Sequence, residues 1–60
     1  MRTTFKLKYE KISKKKAIEL FGKDRLDRYC SEAWERFCQD PEELQAWWTE
    51  HGMFEIHFRR

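Results

Sequence analysis

The sequence predicts an α+β protein in the order β-α-α-α-β, with a two-stranded antiparallel sheet of the terminal strands packed on three helices. Apolar and polar residues alternate at both ends of the chain, whereas apolar residues recur at helical spacing between them. Only two glycines and one proline occur, and no linker-like stretch interrupts the pattern. We therefore expect residues 1–60 to form a single compact α+β domain, of a size that buries only about 60% of its unfolded surface.

The two strands are predicted from period-two alternation. In residues 3–10, Phe5, Leu7 and Tyr9 point to one side and the intervening residues are polar. Residues 53–59 repeat the pattern with Phe54 and Ile56, followed by a further phenylalanine at position 58. Antiparallel pairing of these strands, with both apolar faces on the helices, is the simplest arrangement.

Two helices are predicted between Ser13 and the middle of the chain. Ser13 is a good N-cap for a helix over 14–21, and Gly22 supplies its stop. The second helix follows Asp24, and its apolar residues fall on one helical stripe. That stripe consists of Leu26, Tyr29, Cys30, Ala33, Trp34 and Phe37.

A third helix is predicted from residue 40 to the glycine at position 52. Asp40 and Pro41, followed by two glutamates, resemble an N-cap, a first-position proline and an acidic first turn. The apolar stripe of this helix is Leu44, Trp47, Trp48 and His51.

Open edges of a two-stranded sheet favour pairing between copies. A homodimer through the sheet edges, with four strands in the combined sheet, is therefore a hypothesis.

The chain contains four residues that can ligate zinc, Cys30, Cys38, His51 and His57. Their spacing does not fit a zinc finger, because the cysteines lie eight residues apart within one predicted helix. No nucleophile, acid–base pair or glycine-rich phosphate loop is recognisable. We expect no metal, no cofactor, no small-molecule substrate and no enzymatic activity.

Cysteine placement also bears on location. Eight helical residues separate Cys30 from Cys38 by about 12 Å, which is too far for a disulfide. With no apolar leader or membrane segment in the sequence, we expect a cytoplasmic protein with no membrane partner.

Charge is divided unevenly along the chain. Residues 1–28 hold ten Lys/Arg against four Asp/Glu, whereas residues 29–60 hold three against seven. Three lysines, 14–16, open a helix whose dipole repels them, and seven cations fall within residues 11–28. The candidate nucleic-acid-binding residues are Lys11, Lys14, Lys15, Lys16, Lys23, Arg25 and Arg28.

One alternative to a binding surface is a solvated face, and cross-strand pairing limits the extent of the basic patch. Glu19 could pair with Lys15 or Lys16, leaving a solvated face without function. The strand lysines Lys6 and Lys8 are expected to be neutralised across the sheet by glutamates, so that the basic patch centres on residues 11–28.

Two functions follow as hypotheses. The first is a non-enzymatic protein whose basic face binds DNA or RNA phosphates with little sequence specificity. The second is a regulator or inhibitor, of the kind that phages and mobile elements encode, that binds an acidic protein through charges and an exposed aromatic residue. Candidate interface residues for it are Tyr29, Trp47 and Trp48.

A third interpretation concerns residues 17–22 and the helix after them, which superficially resemble the first half of a helix-turn-helix motif. Lys23 and Arg28 stand where that motif keeps apolar residues, so the sequence does not assign the chain to it.

Overall fold

The computed structural model describes residues 2–59, which form a four-stranded sheet and two helices in the order β-β-α-α-β-β. The elements are β1 (Arg2–Leu7), β2 (Glu10–Ile12), α1 (Lys14–Phe21), α2 (Lys23–Gln39), β3 (Gln45–Thr49) and β4 (Gly52–Arg59). All neighbouring strands are antiparallel, in the spatial order β2-β1-β4-β3.

The predicted β-α-α-α-β architecture with a two-stranded sheet is therefore wrong. The antiparallel contact between the terminal strands β1 and β4 exists, and it forms the centre of the sheet. Two further strands flank this pair. One, β2, begins within the end of the predicted first strand, and the other, β3, lies where the third helix was predicted.

The first difference is a tight turn that breaks the predicted strand over residues 3–10. Lys8 and Tyr9 both adopt positive φ, 52° and 67°, and Leu7 pairs with Glu10 across the turn. Such two-residue turns usually contain Asn-Gly or Asp-Gly. Neither residue type is present here, so the sequence carried no signal for the hairpin, and Tyr9 is exposed rather than in the core.

The second difference is the absence of the predicted third helix among the described residues. Asp40 instead starts a turn: its carbonyl accepts a hydrogen bond from the Glu43 N–H (3.1 Å), and its carboxylate accepts one from the Glu42 N–H (3.1 Å). Asp at the first position and Pro at the second also favour a β-turn. The chain then continues as β3, where Trp47 pairs with Phe54 of β4.

The helices α1 and α2 agree closely with the prediction. Ser13 caps α1 by accepting a hydrogen bond from the Lys16 N–H (3.0 Å), and Gly22 ends it. Helix α2 begins one residue before Asp24, which lies in its first turn. Gly22 links the helices with φ 85° and ψ 153°, a conformation that strongly favours glycine.

Both helices pack on one face of the sheet. The core is made of Phe5, Ala17, Phe21, Leu26, Ala33, Phe54 and Ile56. A second aromatic group, Trp34, Phe37 and Phe58, closes one end of this layer. Because the helices cover only this face, the opposite face of the sheet is left without a helix.

The free edges of the sheet are β2 and β3, rather than the edges of a two-stranded sheet. The predicted homodimer would have formed a four-stranded sheet from two copies of the chain, whereas one copy already contains four strands. The homodimer remains a hypothesis.

Candidate functional site

One side of the sheet carries no helix, and we call this side the open sheet face. The strand register shows which residues lie on the open sheet face, because residues paired across strands project from the same face. The residues are Arg2, Thr4, Lys6, Lys11, Ala46, Trp48, Met53, Glu55, His57 and Arg59.

Two pairs of like charges lie directly opposite each other on the open sheet face. Lys6 of β1 pairs with Lys11 of β2, and Arg2 of β1 pairs with Arg59 of β4. Like charges in directly opposed positions destabilise a sheet. None of these four cations forms an ion pair with another residue of the described range 2–59. The fold thus concentrates positive charge here, and no ion pair with a described acid neutralises it.

Glu55 is the one acidic residue on the described part of this face, and it is 5% exposed. Register places it opposite Lys6, as required for the neutralisation expected from the sequence. However, its Oε1 lies 3.2 Å from Nε2 of His57, and its buried Oε2 has no hydrogen-bond partner. Lys6 therefore lies opposite Glu55, as expected, but no ion pair joins them, and because Glu55 is buried the accessible charge on this face is positive.

Lys8 does not belong to the open sheet face, because it occupies the β1–β2 turn. Its backbone N–H donates to the Met53 carbonyl (2.9 Å), and its side chain lies over Gly52. Glu10, the other expected source of neutralisation, pairs with Leu7 on the helix side of the sheet.

The lysine run Lys14–Lys16 lies in the first turn of α1, immediately after β2. All three side chains are exposed, and the first turn contains no acidic residue. Among residues 2–59, no carboxylate lies within ion-pair distance of them, so Glu19 does not pair with Lys15 or Lys16. The run retains its full positive charge.

A groove of about 460 Å³ connects the lysine run with the edge of the sheet. Its lining includes Lys11 and Lys14 together with Phe58, Asp27 and Cys30. Burial raises the pKa of the Cys30 thiol, Asp27 raises it further, and Lys14 opposes the shift. The Cys30 thiol is therefore held in its neutral form. The groove brings together Lys11 of the sheet edge and Lys14, the first residue of the lysine run.

Arg25, also predicted as a phosphate-binding residue, is occupied within the fold. Its guanidinium donates two hydrogen bonds to the Glu50 carboxylate, at 2.6 and 2.7 Å, and its Nε donates to the Tyr29 hydroxyl at 3.2 Å. It also stacks over Phe21 and Tyr29. These hydrogen bonds raise the pKa of Arg25 and lower that of Glu50 to about 2.

Lys23 and Arg28 lie on α2, and neither lines the groove that Lys11 and Lys14 share. Lys23 opens the helix and is exposed. Arg28 has Asp24 four residues before it and Glu32 four residues after it, which places acids next to it on the same helix face. The structure therefore brings together Lys11 and the lysine run, but not Arg25 or Arg28.

The three candidate interface aromatics have different environments. Tyr29 and Trp47 contact each other at 4.9 Å between ring centroids, and both contact Phe54, so they belong to the aromatic core. Trp48 lies on the open sheet face and is 80% exposed. It contacts no other described aromatic ring.

The four potential zinc ligands are dispersed. Cys30 and Cys38 are both free thiols on α2. Nε2 of His51 donates to the carbonyl of Leu20 (3.1 Å) at the end of α1, and His57 contacts Glu55. Over residues 2–59, no cluster of three or more His, Cys, Asp or Glu side chains could hold a metal ion. In the same range, neither helix has the length and apolar character needed to cross a membrane.

Sequence reasoning missed Arg2, Lys6 and Arg59 as members of the basic surface. Alternation along β1 and β4 already indicated that they face away from the core. The missing information was the register, which places Lys6 between Lys11 and Glu55 and places Arg2 opposite Arg59.

Comparisons of this chain with protein-family models, curated proteins and solved structures found no match. The protein is therefore classified by its structure alone. It is a small α+β protein with two helices on one side of a four-stranded antiparallel sheet and a basic face on the other side.

Proposed function

We propose that this protein is a non-enzymatic nucleic-acid-binding protein whose basic surface engages the phosphates of DNA or RNA with little sequence specificity. The surface consists of Lys11, the lysine run Lys14–Lys16 and the cations of the open sheet face, Arg2, Lys6 and Arg59. It differs from the patch predicted over residues 11–28 by gaining the sheet residues and by relying less on Arg25 and Arg28.

The observation that carries the proposal is the pairing of like charges, Lys6 with Lys11 and Arg2 with Arg59. Like charges in directly opposed positions destabilise a sheet, and none of these four cations forms an ion pair with a carboxylate of residues 2–59. A polyanion would relieve this repulsion and release its own counterions in doing so. The lysine run adds three positive charges that the helix dipole repels, and a bound polyanion would relieve this repulsion as well.

The test replaces Lys14, Lys15 and Lys16 together with Gln. At low salt we expect the affinity for a labelled oligonucleotide to fall by about tenfold or more, and equally for single-stranded and duplex forms, because phosphates are common to both. The measurement is fluorescence anisotropy.

A matched control removes charge from a different surface. Arg28→Gln combined with Arg36→Gln deletes two cations that have acidic neighbours on α2, and we expect an affinity change of less than about twofold. The corresponding pair on the proposed surface is Lys6→Gln with Lys11→Gln, for which a clear loss is expected. Equal losses in both pairs would contradict a localised surface.

A second candidate function is supported by one observation, the exposure of Trp48 on a sheet face that also carries several cations. An exposed tryptophan can anchor a protein interface, with surrounding charges steering association. On this view the protein is a regulator or inhibitor of an acidic protein. Absence of nucleic-acid binding at low salt would favour this candidate.

A further inference from the structure

Trp48 is an aromatic residue that the fold does not use for its own packing. The other two tryptophans contact neighbouring rings: Trp47 packs on Tyr29 and Phe54, and Trp34 packs on Phe37 and Phe58. Trp48 faces solvent on the other side of the sheet, where its cross-strand neighbour is Met53. One face of the indole is thus available to a flat ligand.

Positive charge lies within reach of that indole. From β3, where Trp48 lies, β1 is two strand spacings away, or about 10 Å, and β2 is one spacing further. The register also sets Lys6 and Lys11 two residues, or about 7 Å, further along the strands than Trp48. Lys6 and Lys11 project from these strands onto the same face. A ring stacked on Trp48 could therefore carry its attached phosphates toward these two lysines.

The charge of the face selects among ligands that could use such an aromatic platform. Glu55, the one acid in its described part, is buried and contacts His57, so a polyanion meets no accessible carboxylate. A ligand that repeats flat rings and anionic groups along a chain fits this pattern, and a polynucleotide has both. Base–aromatic stacking and backbone cations are the two components of single-strand binding.

Duplex nucleic acid cannot use Trp48 in this way. Its base faces are already stacked within the helix, whereas an unpaired strand presents them to an aromatic side chain. We propose that the open sheet face binds single-stranded nucleic acid, with a base stacked on Trp48 and adjacent phosphates held by Lys6 and Lys11. This inference rests on the proposed function and narrows its ligand to the unpaired form.

The test compares a labelled single-stranded oligonucleotide of about 15 nucleotides with its own duplex, by anisotropy at low salt. We expect tighter binding of the single strand. Trp48→Ala should weaken single-strand binding by about 5- to 150-fold, the range for the loss of one stacked base, and should change duplex binding by less than about twofold. Trp48→Phe should retain most of the affinity because phenylalanine still stacks.

Tyr9→Ala provides the matched control, because it removes an exposed aromatic from the β1–β2 turn. Its single-strand affinity should equal that of the unmodified protein. Circular dichroism of every variant checks folding. Trp48→Phe is a second test of stacking, because it changes the tryptophan without removing the aromatic ring.

The outcomes separate this inference from the proposed function. If the triple Lys14–Lys16 variant weakens binding but Trp48→Ala does not, the proposed function stands and the single-strand site is wrong. Equal loss of single-strand and duplex binding in Trp48→Ala, or duplex binding as tight as single-strand binding, would also overturn it. If neither form binds at low salt, both proposals fail and Trp48 is better explained as an anchor for a protein partner.

Discussion

At the scale of single residues, Tyr9 shows how a local energetic cost is built into this fold. It adopts a φ of 67° with a full side chain, and L residues in this region cost about 1–2 kcal/mol. Tyr9→Gly removes this cost, and the greater freedom of glycine in the unfolded chain offsets part of the gain. The free energy of unfolding should therefore rise by about 1 kcal/mol. Urea denaturation measures the change.

The control for this prediction is Tyr9→Ala, which removes the exposed ring and retains the unfavourable backbone conformation. It should leave stability close to that of the unmodified protein. A gain equal to that of Tyr9→Gly would mean that the side chain, rather than the backbone, carries the cost.

The ion pair between Arg25 and Glu50 predicts how stability depends on pH. Hydrogen bonds from Arg25 lower the pKa of Glu50 from 4.5 to about 2. A carboxylate with a lowered folded-state pKa stabilises the protein above its unfolded pKa, and this contribution is lost as pH falls from about 4.5 toward 2. The pair is solvent-exposed, so the effect is reduced by screening.

Glu50→Gln should therefore lower the melting temperature at pH 7, and the difference from the unmodified protein should shrink as the pH approaches 2. Thermal unfolding followed by circular dichroism at several pH values measures this. Glu19→Gln, which removes a carboxylate that contacts no described cation, is the control. A difference that is the same at all pH values would contradict the assignment.

At the scale of elements, the junction between α1 and α2 depends on one glycine. Gly22 adopts φ 85° and ψ 153°, and a Cβ at this position would meet no atom within 4 Å. Gly22→Ala should therefore destabilise the protein through its backbone conformation alone, by about 1–3 kcal/mol. Chemical denaturation measures the loss, and Ser31→Ala on the exposed side of α2 should cause little change. An unchanged stability for Gly22→Ala would show that the junction relaxes freely.

The elements also show which structural information the sequence contained. Two of the three predicted helices exist because their caps and apolar stripes act within a short segment, as Ser13 and Gly22 do for α1. The residues after position 43 fit two patterns: Leu44, Trp47 and Trp48 fit a helix, whereas alternation through Gln45, Trp47 and Thr49 fits a strand. The segment forms a strand because Trp47 pairs with Phe54 of β4. Such a contact between distant segments is not visible in a local sequence pattern.

The candidate site was predictable to a similar degree. The lysine run was identified correctly as exposed charge at a helix start, because charge and capping are local properties. The open sheet face was not identified, because its basic pairs depend on the Lys8–Tyr9 turn that sets the register of β2 against β1. That turn lacks the glycine and asparagine by which hairpins are usually recognised.

At the scale of the whole molecule, the division of charge along the chain becomes a division in space. The basic first half supplies β1, β2 and α1, and their cations extend from the open sheet face through Lys11 to the lysine run. Acids of the second half lie mainly on α2 and in the turns around β3. The net charge of +2 therefore understates how strongly one side of the molecule can attract an anion.

The salt dependence of nucleic-acid binding tests the central claim most directly. Each phosphate contact contributes about 0.7–0.9 to the slope of log K against log salt concentration, so a surface with several contacts should give a slope of about −3 or steeper. Replacing Lys14, Lys15 and Lys16 with Gln should make that slope shallower by roughly 2–3. Binding that does not change with salt, or no binding at low salt, would contradict the account.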